Sequence, residues 1–450
     1  MARILAFIEN DMYLRNFVTS GAFELLLEEP EFKVYLSEIA VKLAEALPPE
    51  RIGGRYQRSE LNRALTFQFN KVSMRALRDK SSTFDIKTSR EIYGPYTPDD
   101  MVLGATGDIE ALRAYFLGKF ENNDSLEAVI QKERPELVLF PITGVESTGT
   151  ELNLLARRYG FKTLFLVNGW DNLSSKGVFP LLPDYLGAWG PQSLLDAVEI
   201  QGMPARRVIL LGCARYEPYF QTGYADRQIF PHRYILFAGS TLPCDEITPL
   251  KLMDQVLRQA GHEDLKLIYR PHPWREKRNC FDLFQPQDYT HAMLDPQVEA
   301  DYYKEKKQGT ESVSSQNFPD LKYYPSLLNH AQFVISPMSS MTLEAAIFDV
   351  PAMVLAHDDG VHAMPPSHQA RMQHFEGAEE IPGWFFVREL EQLQPLFAEL
   401  VERFKDDTPQ RRTYRPALSA AIRRYLHHDE RSYALRLHEA VAMILAGHRG

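Results

Sequence analysis

The stretch from Ala331 to Leu355, AQFVISPMSSMTLEAAIFDVPAMVL, constrains the fold of this chain more than any other. Phe333-Val334-Ile335 is a short apolar run of the kind that forms a buried strand. Ser336, Pro337, Met338, Ser339 and Ser340 interrupt it with small polar residues and a proline. Thr342 to Phe348 then reads as a short helix, and Pro351 opens a second apolar run. Strand, serine-rich turn, helix and strand make one α/β unit. Its turn sets hydroxyls and backbone N–H groups at a helix N-terminus, where a phosphate is readily held. Upstream, Leu267-Ile268-Tyr269 is another short strand, and it ends in Arg270-Pro271-His272-Pro273. Ligands of open parallel sheets sit beyond the C-terminal ends of the strands. Two anion-friendly loops at such ends point to one pyrophosphate site.

The same alternation runs through the rest of the chain. Arg3 to Ile8 reads as a first strand, Glu9-Asn10-Asp11 as a polar turn, Met12 to Glu28 as a helix and Phe32 to Leu36 as a second strand. Pro48 to Asp100 is irregular, with one helix over Glu60 to Asn70 and the character of an acceptor-side insertion. Helices over Asp108–Phe120 and Ser125–Lys132 precede strands at Leu137–Phe140, Thr163–Val167, Tyr185–Trp189 and Val208–Leu211. The rhythm lapses over Arg215 to Arg233, which holds Pro218, Gly223 and Pro231, and restarts with a strand at Tyr234–Ala238. Alternation of this kind predicts mostly parallel sheets with helices on both faces. The expected fold is α/β with two Rossmann-like domains facing across a cleft. They span 1–222 and 223–410, and a helical tail over 411–450 is free to pack back on the first domain.

At 450 residues the chain is long enough for two such domains. With 50 Lys and Arg against 60 Asp and Glu its net charge is −10, which argues against a nucleic-acid surface. Cys213, Cys244 and Cys280 form no CxxC pair, so neither a disulfide framework nor a zinc knuckle is expected, and reduced cytosolic thiols are. No run approaches the ~18 apolar residues of a membrane span. The N-terminus lacks the longer apolar core of a signal peptide. The expected location is the cytoplasm, with peripheral contact at the inner face of the cell membrane left open.

The residues suited to chemistry lie at strand ends. Gly239-Ser240-Thr241 follows the first strand of the second half, and glycine there allows close approach of a phosphate. The prolines of Arg270-Pro271-His272-Pro273 fix the backbone around a guanidinium and an imidazole. Ser339, Ser340 and Thr342 either cap a helix or hold a phosphate, and both uses engage the same groups. Glu344, one turn into that helix, is placed either to accept from ribose hydroxyls or to lie at the surface. In the first half, Asn168, Trp170, Asp171, Asn172, Ser175 and Lys176 crowd one strand end, as an acceptor loop or a structural corner. Asp11, Glu146 and Asp171 are the candidate general bases, each of which could equally cap a turn. His357-Asp358-Asp359-Gly360 is weak as a metal site, and no metal is expected. GxSxG, GxGxxG and GxxxxGK[ST] are all absent.

YRPHP at 269–273 together with SPMSSMTLEAAIFDVP at 336–351 resembles bacterial glycosyltransferases of the two-Rossmann-domain (GT-B) type. The pattern is similar to that of cell-surface polysaccharide enzymes, the capsule sialyl- and Kdo-transferases with His-Pro and Ser-Ser motifs and the CDP-glycerol glycerophosphotransferases of teichoic acid synthesis. NGWDNLSSKG at 168–177 and PDYLGAWG at 183–190 resemble the first domain of surface-polysaccharide transferases. The resemblance implies that His272 and the Ser339–Ser340 pair hold the donor phosphates, with Glu344 near the ribose. It implies a metal-independent transfer from a CMP-, UDP- or GDP-linked sugar to a glycan or lipid-linked glycan acceptor. The acidic pair before a glycine that such relatives use has no counterpart here, which leaves the base open. Transfer of glycerol or ribitol phosphate from a CDP-alcohol, 2-epimerisation of a sugar nucleotide, and a non-catalytic nucleotide- or glycan-binding role are the alternatives.

Overall fold

The computed structural model describes residues 3–42, 44–221, 223–272, 284–298, 321–409 and 411–449. Pro273, Cys280 and most of the polar stretch from Trp274 to Pro319 lie outside the described residues. The chain divides into two compact units, Met1–Glu217 with Arg423–Gly450, and Pro218–Ile422.

The first unit is built on a seven-stranded sheet of order β3-β2-β1-β4-β5-β6-β7. Its strands are β1 (Ile4–Ile8), β2 (Phe32–Ser37), β3 (Ile52–Tyr56), β4 (Leu137–Ile142), β5 (Lys162–Val167), β6 (Tyr185–Ala188) and β7 (Val208–Leu210). All neighbours run parallel, with Ile4 opposite Phe32 on one side of β1 and Leu137 on the other. Parallel strands need crossovers that cover both faces, and this explains why β1 and β4 are buried along their whole length. The faces alternate as a period of two demands. Ile4, Ala6 and Ile8 join one core with Leu137 and Leu139, while Phe7 on the opposite face stacks on Tyr35 with centroids 5.6 Å apart.

The second unit has a six-stranded parallel sheet of order β10-β9-β8-β11-β12-β13. The strands are β8 (Arg233–Ala238), β9 (Leu265–Arg270), β10 (Ala292–Leu294), β11 (Val334–Pro337), β12 (Ala352–Leu355) and β13 (Trp384–Val387). The anchoring stretch of the sequence supplies β11, the helix Ser340–Ile347 and β12, with Val334 opposite Ala352.

Three segments differ from the sequence reading. Met12 to Glu28 is not one helix. It is Asp11–Tyr13, a wide π-helical turn Leu14–Thr19, and then Glu24–Glu28. Gly21 breaks it in the left-handed region at φ +86°. The irregular region holds β3 and the helices Glu60–Ala76 and Ser82–Ser89, and a third, Pro98–Gly104, begins at its end; the helices expected next are present as Ile109–Leu117 and Asp124–Glu133. β3 was hidden by Gly53 and Gly54, and the ring of Tyr35 explains the first of them. A Cβ on Gly53 would lie 2.4 Å from that ring.

The tail is the third difference. Leu418 and Ser419 belong to the helix Arg415–Ile422 of the second unit, where the Ser419 hydroxyl donates to Asp349 at 2.9 Å. The helix Tyr433–Arg449 belongs to the first unit, and its Tyr433, Leu437, Ala440, Val441 and Ile444 enter the core under β1. At the other crossing, Glu217 is held at 3.6 Å by Arg436, also of the first unit. Tyr219 donates to Glu344 within the second unit. The change of unit therefore falls at Pro218.

Gly212, just beyond β7, sits at φ +85°, and a Cβ there would lie 2.4 Å from the carbonyl oxygen of His427. Gly212→Ala is expected to lower the unfolding free energy by about 2–4 kcal/mol, measured by urea denaturation.

Candidate functional site

In each sheet the direction of strand addition reverses once, between β1 and β4 and between β8 and β11. The crevice at such a reversal, outside the C-terminal strand ends, is where open α/β sheets place ligands.

In the first unit the residue directly after β1 is Glu9, which is 6% exposed. Its Oε1 lies 3.7 Å from the Arg58 guanidinium, which bonds Glu38 at 2.7 Å. Its Oε2 is buried, and the Thr148 side chain is a hydrogen-bonding neighbour of the carboxyl. Burial, and after it the carboxylate of Glu146, push the Glu9 carboxyl up to about 8 from an ordinary 4.5, against the opposing pull of Thr148 and Arg58.

Glu146 follows β4. Its Oε2 accepts the backbone N–H groups of Thr143, Gly144 and Val145 at 3.0, 3.0 and 3.1 Å. Its Oε1 accepts the hydroxyls of Thr143 at 2.5 Å and of Tyr13. Five donors converge on one carboxylate, and the loop is folded around it. Burial and the Glu146 charge hold the Tyr13 hydroxyl well above its usual range.

Asp11 is buried, and its Oδ1 accepts the backbone N–H of Lys42 at 3.0 Å. Asp171 accepts from Asn172 at 3.0 Å and from the Ser175 hydroxyl at 2.7 Å, and Lys176 lies 3.6 Å from it. These residues, with the bond from Gly169 N–H to Asn172 Oδ1 at 2.6 Å, fold the short helix Asn172–Ser175 beyond β5. Trp170 packs edge-on against Tyr425, centroids 5.3 Å apart, and so serves the corner of the loop. Asn168 lies nearer the crevice, its Oδ1 accepting from Asn16 at 2.8 Å.

In the second unit Gly239, Ser240 and Thr241 follow β8. A Cβ on Gly239 would lie 2.7 Å from Glu246 and 3.0 Å from the His272 backbone nitrogen, so only glycine fits between these two loops. The Ser240 N–H donates to Glu246 at 2.9 Å, and its hydroxyl donates to Gln369 at 3.0 Å. Thr241 Oγ1 pairs with His272 Nε2 at 3.0 Å, which joins the β8 and β9 loops. Across the reversal, Ser339 caps the helix Ser340–Ile347 by accepting from Met341 N–H at 3.3 Å, and its hydroxyl pairs with that of Ser336 at 2.8 Å. Thr342 is buried, its hydroxyl donating to the Ser339 carbonyl at 2.8 Å, while Ser340, the first residue of the helix, is half-buried.

Arg270 and Glu344 make close contacts within the second unit. Arg270 is buried, ion-paired with Asp295, and covered by the rings of Tyr323 and Tyr324 at 5.6 and 4.9 Å. Its charge is committed inside the unit, where it anchors the strand end that carries His272. Glu344 is 5% exposed and accepts the Tyr219 hydroxyl at 2.5 Å. In the His357–Gly360 loop, Asp359 is engaged by the backbone N–H groups of Asp245, Val361 and His362 at 2.9, 3.1 and 2.9 Å, and Asp358 by that of Gly360 at 2.8 Å.

The sequence reading passed over Glu9 and Gln369. Glu9 stood in plain sight as the first residue past the first strand, but only the burial contributed by residues distant in sequence distinguishes it from a turn carboxylate.

No protein-family model matches this sequence, and no curated protein matches it. Solved structures do. The chain is similar to the UDP-N-acetylglucosamine 2-epimerase of Methanocaldococcus jannaschii in complex with UDP-GlcNAc and UDP, with TM-score 0.50, 13% identity, and 98% of this chain and 99% of that one covered. It is similar to a Listeria monocytogenes protein provisionally described as a UDP-N-acetylglucosamine 2-epimerase, with TM-score 0.50, 11% identity, and 98% and 96% covered. The calicheamicin glycosyltransferase CalG4 matches with TM-score 0.47 and 12% identity over 99% and 98%. The fold is therefore the two-Rossmann-domain, GT-B type.

Two outcomes test this geometry. Glu9 keeps its proton to about pH 8 in the folded chain and loses it near 4.5 when unfolded. Folding stability then falls as pH rises between those values, by about 3–5 kcal/mol in all. Glu9→Gln removes that loss, so urea midpoints of variant and parent are expected to agree near pH 5 and to separate by pH 8 with the variant the more stable. Arg270→Met leaves Asp295 buried without its cation, and a loss of about 3–5 kcal/mol is expected in the same measurement.

Proposed function

We propose that this protein is an enzyme acting on a nucleotide-activated sugar, and that it transfers the sugar to a hydroxyl of a glycan or lipid-linked glycan. The observation that carries the reading is the rim of the second unit at the β8/β11 reversal. A glycine-tight loop, a hydroxyl–imidazole pair and a serine-capped helix N-terminus stand on three adjacent strands, β9, β8 and β11. That set suits a pyrophosphate. Helix N–H groups and small hydroxyls meet its oxygens, and His272 supplies a further donor.

When the sugar leaves the nucleotide, negative charge grows on the departing phosphate. Donors fixed in advance stabilise that charge more in the transition state than in the ground state. Thr241 and Ser339 orient these groups, and Arg270 acts one step back by holding the strand end. The first unit would supply the acceptor surface and the base, with Asn168 and the 168–177 loop beside the acceptor. Among the described residues no helix is long and apolar enough to cross a membrane. The reading puts the enzyme in the cytoplasm, where nucleotide sugars are made, and at the inner membrane face if its acceptor is lipid-linked.

A second reading, 2-epimerisation, is favoured by the two solved structures with TM-score 0.50. It calls for groups that remove and return a proton at a sugar carbon, and it uses the same nucleotide rim of the second unit as the transfer reading.

Thermal shifts with CMP, CDP, UDP and GDP test the nucleotide site. One nucleotide at ~100 times its Kd is expected to stabilise the chain by about 2.7 kcal/mol, and His272→Ala to abolish most of that gain. No shift with any nucleotide would remove the basis of the reading. Incubation with UDP-N-acetylglucosamine alone, followed by NMR, separates the two reactions: appearance of the 2-epimer selects epimerisation.

A further inference from the structure

We propose that Glu246 and Gln369 are positioning residues of the nucleotide site, two buried side chains that hold the loop after β8 in the shape that presents the Thr241–His272 pair to a phosphate. The assignment rests on the nucleotide-sugar reading above and deepens it by naming what sets the phosphate loop in advance. All of its parts lie within the second unit.

Gly239-Ser240-Thr241 follows directly on β8, and the Gly239 N–H donates to the Arg270 carbonyl at 2.8 Å, which joins the loop to the end of β9. Ser240 is then held from two sides. Its N–H donates to Glu246 Oε1 at 2.9 Å, and its hydroxyl donates to Gln369 Oε1 at 3.0 Å. The same hydroxyl accepts the Leu242 N–H at 3.1 Å, closing a turn around Thr241. With its neighbours on both sides fixed, Thr241 meets His272 Nε2 at 3.0 Å. Thr241 and His272 are only half-buried, which leaves the pair within reach of a ligand.

The two holding side chains come from different parts of the unit. Glu246 is fully buried at the entry to the helix Ile247–Ala260, and its Oε2 accepts the Tyr269 hydroxyl of β9 at 2.7 Å. Gln369 is buried in the chain that leaves β12, and its Nε2 donates to the Met364 carbonyl at 2.9 Å. Because β11 stands between β12 and β8, that chain crosses the C-terminal end of β11 to reach Ser240. A further bond, from the Asp245 N–H to Asp359 at 2.9 Å, ties it to the same loop. Buried polar groups whose hydrogen bonds are all directed at one loop hold that loop in one geometry. Stabilising a departing phosphate requires such fixed donors, since groups that must first reorganise lose the advantage. Glu246 and Gln369 act through Ser240 and touch no phosphate themselves.

The test is titration calorimetry, well below the unfolding temperature, with whichever of CMP, CDP, UDP and GDP stabilises the parent. Glu246→Ala and Gln369→Ala are each expected to weaken binding by about 10–100-fold. Glu246→Gln keeps an oxygen for the Ser240 N–H and is expected to restore most of the binding lost by the alanine variant. Leu250→Ala, in the core beneath the same helix, is the control: it lowers the urea midpoint and is expected to leave affinity unchanged. Gln369→Ala carries the test alone if Glu246→Ala does not fold. Affinities of the alanine variants within about threefold of the parent overturn the assignment and leave the nucleotide-sugar reading intact. An equal loss of affinity in Leu250→Ala also overturns it, because general destabilisation would then suffice. Absence of binding by the parent with every nucleotide overturns the reading and the assignment together.

Discussion

Parallel pairing is the constraint from which the rest of this structure follows. Every strand pair in both sheets runs parallel, so each connection must cross a face and both faces are covered. The interior strands are then almost wholly apolar, and polar chemistry is driven to the strand ends. Because the order of addition reverses once in each sheet, one gap per sheet lies between loops that depart to opposite faces. Glu9 and Glu146 flank the first gap, and Ser240 and Ser339 the second.

Within that frame the two carboxylates of the first gap take opposite roles by environment alone. Glu146 is wrapped by amide and hydroxyl donors, which fix the turn entering the helix Ser147–Tyr159. Glu9, buried beside that same carboxylate and only partly offset by Thr148 and Arg58, is driven toward its neutral form. One organises the loop, and the other lowers folding stability as pH rises.

Much of the fold was legible in the sequence because parallel strands leave continuous apolar runs: RILAFI, LVLF and the strands around SPMSS declared themselves. β3 was not legible, since IGGRY trades side chains for the space that Tyr35 requires. Of the second unit's rim, Thr241 pairs with His272 across neighbouring strand ends, while Ser339 pairs with Ser336 at the end of β11. Arg270 gave no local sign of its engagement inside the unit. Its partner Asp295 lies on β10's far end and its aromatic cover at 323–324, and no local pattern announces contacts so distant. Glu9 was missed for the same reason, because the groups that act on it, Arg58, Glu146, Thr148 and Glu151, lie far along the chain.

The two crossings between units bear on how the chain acquires its structure. The helix Tyr433–Arg449 returns to the first unit after the whole of the second, and Tyr433, Leu437, Ala440, Val441 and Ile444 complete the hydrophobic layer beneath β1. During synthesis that layer stays open while the second unit emerges, and it closes only once Tyr433–Arg449 is made. The second unit, continuous from Pro218 to Ile422, can form before the first is finished. The helix Tyr433–Arg449 therefore ties completion of the first sheet to passage through the second. A chain cut before Tyr433 would carry an intact second sheet beside an uncovered patch of the first, a ready target for proteolytic clearance.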